Sequence, residues 1–315
     1  MTLYTFEELS TEQNFNEEAY LLSNPDVADA VSRGLVKSGR SHFDAFGKNE
    51  KRKIRLSSST ISEAKKKKLE KIKPLLRADM PCIETSTLYD FLSEELRSKF
   101  NIVETEAVSG HGYDDYGMNL IERNKNGLVL DCGAGKRPVY FDNVVNFEIA
   151  NYDTTDVRGV GEVLPFIDGA FDAVLSIAVL EHVKDPFLCA KEISRVLKPG
   201  GSLMCCVPFL QPLHGYPHHY YNMTSQGLEN LFVDYLVIDK VTVYESIYPI
   251  WSLTWILQSW AAGLRGKTRK DFMQMRIADL MESADKYLDK PFVTELSAEK
   301  NIELASATVL FAHKR

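Results

Sequence analysis

At 315 residues and 44% hydrophobic content the chain can bury a core, which excludes a disordered or fibrous protein, and its length suggests one large domain plus something smaller. The net charge of −7 is uneven: Lys48 to Arg77 holds twelve basic residues against Glu50, Glu63 and Glu70, and that +9 stretch leaves −16 on the remainder. So acidic a body argues against a large nucleic-acid footprint. The five cysteines, Cys82, Cys132, Cys189, Cys205 and Cys206, lack CxxC spacing and read as reduced core thiols.

The first residues carry acids and no apolar run, so no secretory signal is expected and the cytoplasm is favoured. Residues 15 to 56 show two or three short amphipathic helices broken at Asn24-Pro25, Gly34, Gly39 and Gly47, which defines a small helical module over 1–56. Ser57 to Thr60 leads into ISEAKKKKLEKIKPLLR, a basic helical linker over 57–78 that ends near Pro74. The linker is either a solvated helix or a contact for an acidic partner or membrane surface.

Residues 79–315 form the remaining domain. From about residue 125 short apolar runs alternate with helical stretches, the pattern of an α/β protein with a parallel sheet wrapped by helices. The expected strands are Leu128 to Asp131, Val144 to Glu148, Phe171 to Ser176, Ser202 to Val207, Val237 to Tyr244 and Ala307 to Ala312. Only twelve residues separate Asp131 from Val144, so the first crossover helix should be a stub. A later helix starts at Asp185-Pro186 and stops at Lys198-Pro199-Gly200-Gly201, with Phe187, Ala190, Ile193 and Leu197 facing the sheet. A helical insertion covers about 246–300. Its charge-free start, Ser246 to Leu264, holds all three tryptophans and is followed by Arg265, Lys267, Arg269 and Lys270. Leu253, Leu257, Trp260 and Leu264 share one face, which suits a lid or a homo-oligomer interface, with peripheral membrane contact as the alternative.

The strand LVLD runs directly into CGAGKRP, placing Gly133 and Gly135 where the chain must turn tightly and let a ligand approach its backbone. Seventeen residues after Asp131, Glu148 ends the next apolar run, where a carboxylate can accept both hydroxyls of a ribose.

The stretches VLDCGAG, EVLPFIDGAFDAVLSIAVLEHVKDP and KEISRVLKPGGSLMCCVPF resemble class I S-adenosylmethionine-dependent methyltransferases of the ubiquinone and menaquinone biosynthesis type, in order and spacing, over Leu128 to Phe209. The resemblance implies a Rossmann-like methyltransferase sheet, mostly parallel with an antiparallel last strand, and S-adenosylmethionine as cofactor. It implies that Asp131, Gly133 and Gly135 border the methionine part, that Glu148 holds the ribose, that the Glu162 to Pro165 loop lies by adenine, and that Ile177 and Ala178 line the pocket. Val160 stands where many relatives carry an acid, which leaves the adenine amino group to backbone or Glu162. The N-terminal string YLLSNPDVADAV…SGRSHFDAFGKNEKR resembles a short module fused in bacteria to glycosyltransferases and other cell-surface biosynthesis proteins, which points to a sugar or a glycan or lipid-linked intermediate as the acceptor.

Methyl transfer from a sulfonium is an in-line displacement, so a protein mainly positions the reactants, and a base matters chiefly for a hydroxyl nucleophile. The residues VPFLQPLHGYPHHYYNMTSQGLENLF supply candidates: His214, His218 and His219 as bases, and Tyr216, Tyr220, Tyr221 and Asn222 as an acceptor wall. His182 either faces the cofactor or caps local backbone. No metal is expected, since no carboxylate or cysteine pattern completes the histidine spacing. The alternative from another class is a non-catalytic cofactor-binding scaffold. An RNA methyltransferase is disfavoured by the acidic body and by the absence of an NPPY-type motif.

Overall fold

The computed structural model describes residues 1–55, 61–104, 110, 112–215 and 217–306. The expected strand Ala307 to Ala312, the Ser57 to Thr60 linker and Tyr216 lie outside the described residues. The chain forms two compact units, Met1–Cys206 and Val207–Arg315.

The first unit begins with strands β1 (Leu3–Thr5) and β2 (Glu7–Leu9), then helices α1 (Glu17–Ser23), α2 (Pro25–Ser32) and α3 (Gly39–His42), then β3 (Lys53–Arg55). Local chemistry accounts for the breaks: Asn16 caps α1 by accepting from Ala19 N, Pro25 opens α2, and Ser38 and Ser41 form a capping box at α3. Tyr20, Val27, Phe43 and Ile54 make the core of this segment. Next come α4 (Ser62–Ile72), β4 (Ile83–Glu84), β5 (Tyr89–Asp90), α5 (Glu94–Phe100) and α6 (Asp115–Arg123). The unit closes with β6 (Val129–Cys132), β7 (Val139–Phe141), β8 (Val144–Glu148), β9 (Val157–Arg158), β10 (Phe171–Ile177), α7 (Pro186–Val196) and β11 (Leu197–Cys206).

Seven of these strands form one sheet in the order β11-β10-β6-β8-β9-β5-β4, parallel throughout except for β4, which pairs antiparallel with β5. This is a Rossmann-like α/β sheet. Every residue of β6 is buried, as a strand covered on both faces requires. Ile121 of α6 packs on Val129, Phe141, Val144, Ala173 and Leu175. From β6 the chain steps through β8 to β9 on one side and then returns to β10 on the other, so the order reverses between β6 and β10. Open α/β sheets bind ligands at the carboxyl ends of strands flanking such a reversal.

Two expectations about the crossovers change. Between β6 and β8 there is no stub helix; the short connection carries β7 instead, which pairs antiparallel with β1. On α7, Ala190, Ile193 and the following Leu197 are buried as expected, but Phe187 is 56% exposed, and Cys189 and Val196 complete the buried face. Phe187 follows Pro186 in the first turn, before the helix settles onto the sheet.

The basic helix is no solvated linker. In α4, Lys65 and Lys68 are buried. Lys68 Nζ lies 2.9 Å from Asp156 Oδ2, 2.5 Å from Val144 O and 3.5 Å from the centre of the Tyr140 ring. Asp156 also accepts from Tyr140 OH at 2.5 Å and Asn146 N at 2.9 Å. The acidic partner of the basic run is therefore the chain's own sheet. Phe6, Ile61 and Tyr140 form an apolar cluster beside this network. Helix α4 thus packs against β7, β8 and the residue that leads into β9, beside the short connection that carries no crossover helix.

The second unit contains α8 (Ser225–Phe232), α9 (Pro249–Gly263), α10 (Gly266–Met273), α11 (Pro291–Thr294) and α12 (Ala298–Glu303). Val237 to Tyr244 is not a strand: it runs as irregular chain without a pairing partner among the described residues, and Val237 is 91% exposed. The proposed single face of α9 divides. Ala261, Leu264, Phe272 and Leu296 form a core with Trp260 against it, whereas Leu253 and Leu257 are exposed beside Ile250 and Trp251. No helix among the described residues is long and apolar enough to cross a membrane. All five cysteines are free thiols, and Cys82 is exposed rather than in the core.

Candidate functional site

The carboxyl end of β6 turns at Gly133 and Gly135, with φ of +82° and +63°, a backbone that favours glycine. A Cβ on Gly133 would collide with both γ-carbons of Val179, so the space above this glycine is filled by the chain itself. The N–H groups of Gly133 and Ala134 both donate to Phe147 O, at 2.9 and 3.0 Å, which draws the turn over the end of β8. There Glu148 closes the arrangement. Its Oε2 accepts from Gly135 N at 2.7 Å, and its Oε1 accepts from Ile149 N at 2.8 Å and Ala150 N at 3.3 Å. A carboxylate has about four acceptor positions, so among the described residues one remains, on Oε2. Burial raises the Glu148 pKa, opposed by these three N–H donors.

Asp131 is fully buried and engaged on both oxygens. Arg137 meets it as a fork, Nε to Oδ2 at 2.8 Å and Nη2 to Oδ1 at 3.0 Å, and Tyr113 OH donates to Oδ2 at 2.5 Å. The Arg137 guanidinium also lies 4.2 Å from the Tyr113 ring centre. The sequence reading named Asp131 but missed both partners. A guanidinium this close locks the strand end rather than leaving a carboxylate open to a ligand. The available signal was an arginine six positions after Asp131 in an otherwise small-residue turn.

Glu162 is buried, and its Oε1 accepts from Lys184 N at 3.1 Å and Asp185 N at 3.3 Å, which ties down the approach to α7. Burial is the main cause of its raised pKa. Ile177 is the last residue of β10 and packs against the α6 core. Ala178 follows in the left-handed region, φ +55°, its N–H held by Cys206 O at 2.9 Å. A non-glycine residue there costs about 1 to 3 kcal/mol, and such strain collects at ligand sites. His182 donates its backbone N–H to Val179 O, and its Nε2 lies 3.8 Å from Glu181 Oε1. Glu181 was not among the sequence candidates. It is completely buried, and neither carboxylate oxygen has a hydrogen-bond partner among the described residues.

In the second unit His214, His218, His219, Tyr220, Tyr221 and Asn222 fall in one loop. His219 Nδ1 accepts from His214 N at 3.1 Å while its Nε2 faces Asn222 Oδ1 at 2.8 Å, which assigns the proton to Nε2. Asn222 in turn donates to Gln211 O at 2.9 Å. His214 Nδ1 lies 2.8 Å from Pro212 O, which assigns its proton to Nδ1 and its lone pair to Nε2. Burial lowers the His214 pKa, opposed by the contact with Pro212 O. The His218 ring lies 5.4 Å from that of Tyr220, and Tyr220 and Tyr221 are exposed.

Comparison with known proteins concerns the sheet. An uncharacterized methyltransferase of Mycobacterium sp. (strain KMS) is 43% identical over 61 residues, which cover 19% of this chain and 24% of that protein. A demethylmenaquinone methyltransferase of Renibacterium salmoninarum is 30% identical over 108 residues, 34% of this chain and 39% of that protein. The chain therefore spans well under half the length of these relatives. A solved SAM-dependent methyltransferase from Thermotoga maritima aligns with a TM-score of 0.27 at 22% identity, covering 37% of this chain and 68% of that one. Residues 132–205, from the end of β6 to the penultimate residue of β11, match the family model described as a methyltransferase domain.

Proposed function

We propose that this protein is an S-adenosylmethionine-dependent methyltransferase acting on a small-molecule acceptor. The observation that carries the reading is the joined unit at the strand-order reversal: a left-handed glycine turn at 133–135 hydrogen-bonded to Glu148, with an acceptor position left on that carboxylate. That chemistry fits a ribose hydroxyl. The methyltransferase-domain match over the same strands supports it. Of the sequence candidates, Gly135 and Glu148 bear on the ribose, Gly133 and Asp131 shape the turn, and Ile177 and Ala178 line the neighbouring strand end. Glu162 orders the loop before α7.

Bound S-adenosylmethionine would supply an already activated methyl group, so the protein's share is to hold, orient and exclude water. Glu148 would accept from the ribose, and the turn would present backbone to the ligand. On the acceptor side His214 is a candidate proton acceptor, since the contact of its Nδ1 with Pro212 O places the lone pair on Nε2, whereas the lone pair of His219 is on Nδ1, which already accepts from His214 N. The N-terminal resemblance favours a sugar or a glycan or lipid-linked intermediate as acceptor.

Calorimetric titration with S-adenosylmethionine and its demethylated product, followed by transfer of labelled methyl into pools of glycan and lipid precursors, tests the proposal. Absence of binding sinks it. Binding without transfer to any pool favours the scaffold alternative.

A further inference from the structure

We propose that Glu181 is the counter-charge for the cofactor's sulfonium, so that the site selects the cationic methyl donor over its neutral demethylated product. The inference rests on the methyltransferase reading and adds a residue to it.

Glu181 lies in the segment that leaves β10, three residues beyond the left-handed Ala178. That segment is pinned at the carboxyl end of the sheet by Ala178 N to Cys206 O at 2.9 Å. The thiols of Cys205 and Cys206, which end β11, fall within the electrostatic reach of Glu181. β10 borders β6 directly, pairing Leu175 with Asp131, so Glu181 belongs to the same edge as the glycine turn. The residue is 0% exposed, and both oxygens lack a hydrogen-bond partner among the described residues. Buried polar groups are almost always hydrogen-bonded, and a buried carboxylate without a hydrogen bond is among the costliest exceptions; the nearby His182 Nε2, 3.8 Å from Oε1, lies beyond hydrogen-bond distance. Burial pushes its carboxyl up to about 8.

A cation completes such a site. The methyl donor carries a permanent positive charge on sulfur, and once the methyl has left that sulfur is a neutral thioether. An ionised Glu181 is therefore stabilised by the donor and not by the product, which favours product departure after each turnover. Tight binding of adenosine and methionine groups shared by both ligands does not depend on this residue.

Calorimetry on the full chain at one pH, with S-adenosylmethionine and S-adenosylhomocysteine, separates the two contributions. Wild type should favour the sulfonium ligand over the thioether by about tenfold more than Glu181→Gln does, a modest share of what two opposite charges gain at short range in a protein. Glu181→Asp, which keeps the charge, should retain part of the preference. Circular dichroism confirms that each variant is folded. An unchanged ratio in a folded Glu181→Gln variant overturns the inference, as does an equal loss for both ligands, which marks a structural role. If wild type binds neither ligand, the methyltransferase reading itself fails and the inference falls with it.

Discussion

Replacing Glu148 by alanine should do two measurable things, because its carboxylate both binds and ties. The acceptor position left on Oε2 suits one ribose hydroxyl. Losing a hydrogen bond to a charged acceptor costs about 1.5 to 3 kcal/mol, roughly a 10- to 150-fold rise in the Kd for S-adenosylmethionine. The same substitution unties Gly135 N, a buried donor held at 2.7 Å, along with the amides of Ile149 and Ala150. An unsatisfied buried N–H costs about 1 to 3 kcal/mol, and each kcal/mol lowers Tm by about 2 to 4 °C in a domain of this size. Glu148→Gln should not rescue, because its amide NH2 must face either the Gly135 donor or the Ile149 and Ala150 donors. The ribose bond needs the ionised form. Since burial raises the Glu148 pKa, wild-type affinity should fall on acidification sooner than an ordinary carboxylate would dictate, and the alanine variant should lose that dependence. Calorimetry at 25 °C with parallel thermal denaturation reads both effects. A Glu148→Ala protein with unchanged Tm and a Kd within about twofold of wild type would refute the assignment.

Lys68→Met removes the cation from a fully buried pair and should cost about 3 to 5 kcal/mol in urea unfolding, with much of it recovered by adding Asp156→Asn; a loss near zero means α4 is not anchored there. Burial brings Lys68 down to about 8 from 10.5, so the folded state binds fewer protons between those values, and this lysine's contribution makes wild-type stability rise with pH across that window, a slope Lys68→Met should lack. His214→Ala should slow turnover of a hydroxyl acceptor by about 10²- to 10⁴-fold with cofactor affinity intact, while His219→Ala should act through loop order and chiefly raise KM; equal turnover in all histidine variants removes the base from the loop. Ile250, Trp251, Leu253 and Leu257 are exposed on α9 next to Arg265, Lys267, Arg269 and Lys270, so the protein should sediment with vesicles containing anionic phospholipid and Trp251→Glu should not, whereas dimerisation without vesicle binding assigns that face to a second copy.

The parts of the fold legible from sequence are those set by neighbours in the chain. LVLD followed by two glycines needs only local backbone geometry to declare a buried strand and a left-handed turn, and Glu148 ends an apolar run at a fixed distance beyond it. Asp185-Pro186 announces α7 in the same local way. What stayed hidden depends on pairs far apart. Tyr113 reaches Asp131 across eighteen positions, and nothing in either segment's composition declares the match. Glu181 was overshadowed by the adjacent His182, although its neighbours Val179, Leu180 and Val183 already marked an acid in apolar surroundings.

The N-terminal segment shows how two correct local readings can miss their connection. A crossover of twelve residues is too short for a covering helix, and a run of four lysines from Lys65 forms a helix with charge to spare. Read separately, they give a stub and a solvated linker. In the fold each answers the other: β7 replaces the stub, β1 pairs with β7, and Lys68 enters the gap to meet Asp156, Tyr140 and Val144 O. A cut after residue 78, which the sequence alone makes look harmless to the catalytic sheet, therefore removes β1 and strips a buried carboxylate of its cation. The shortened chain is expected to unfold at lower urea concentration than wild type, and Lys68→Met should reproduce a large part of that loss on its own. If the cut chain instead matched wild type in urea midpoint and in cofactor affinity, the packing of α4 on the sheet would contribute nothing to the fold, and the first 78 residues would be a separate module after all.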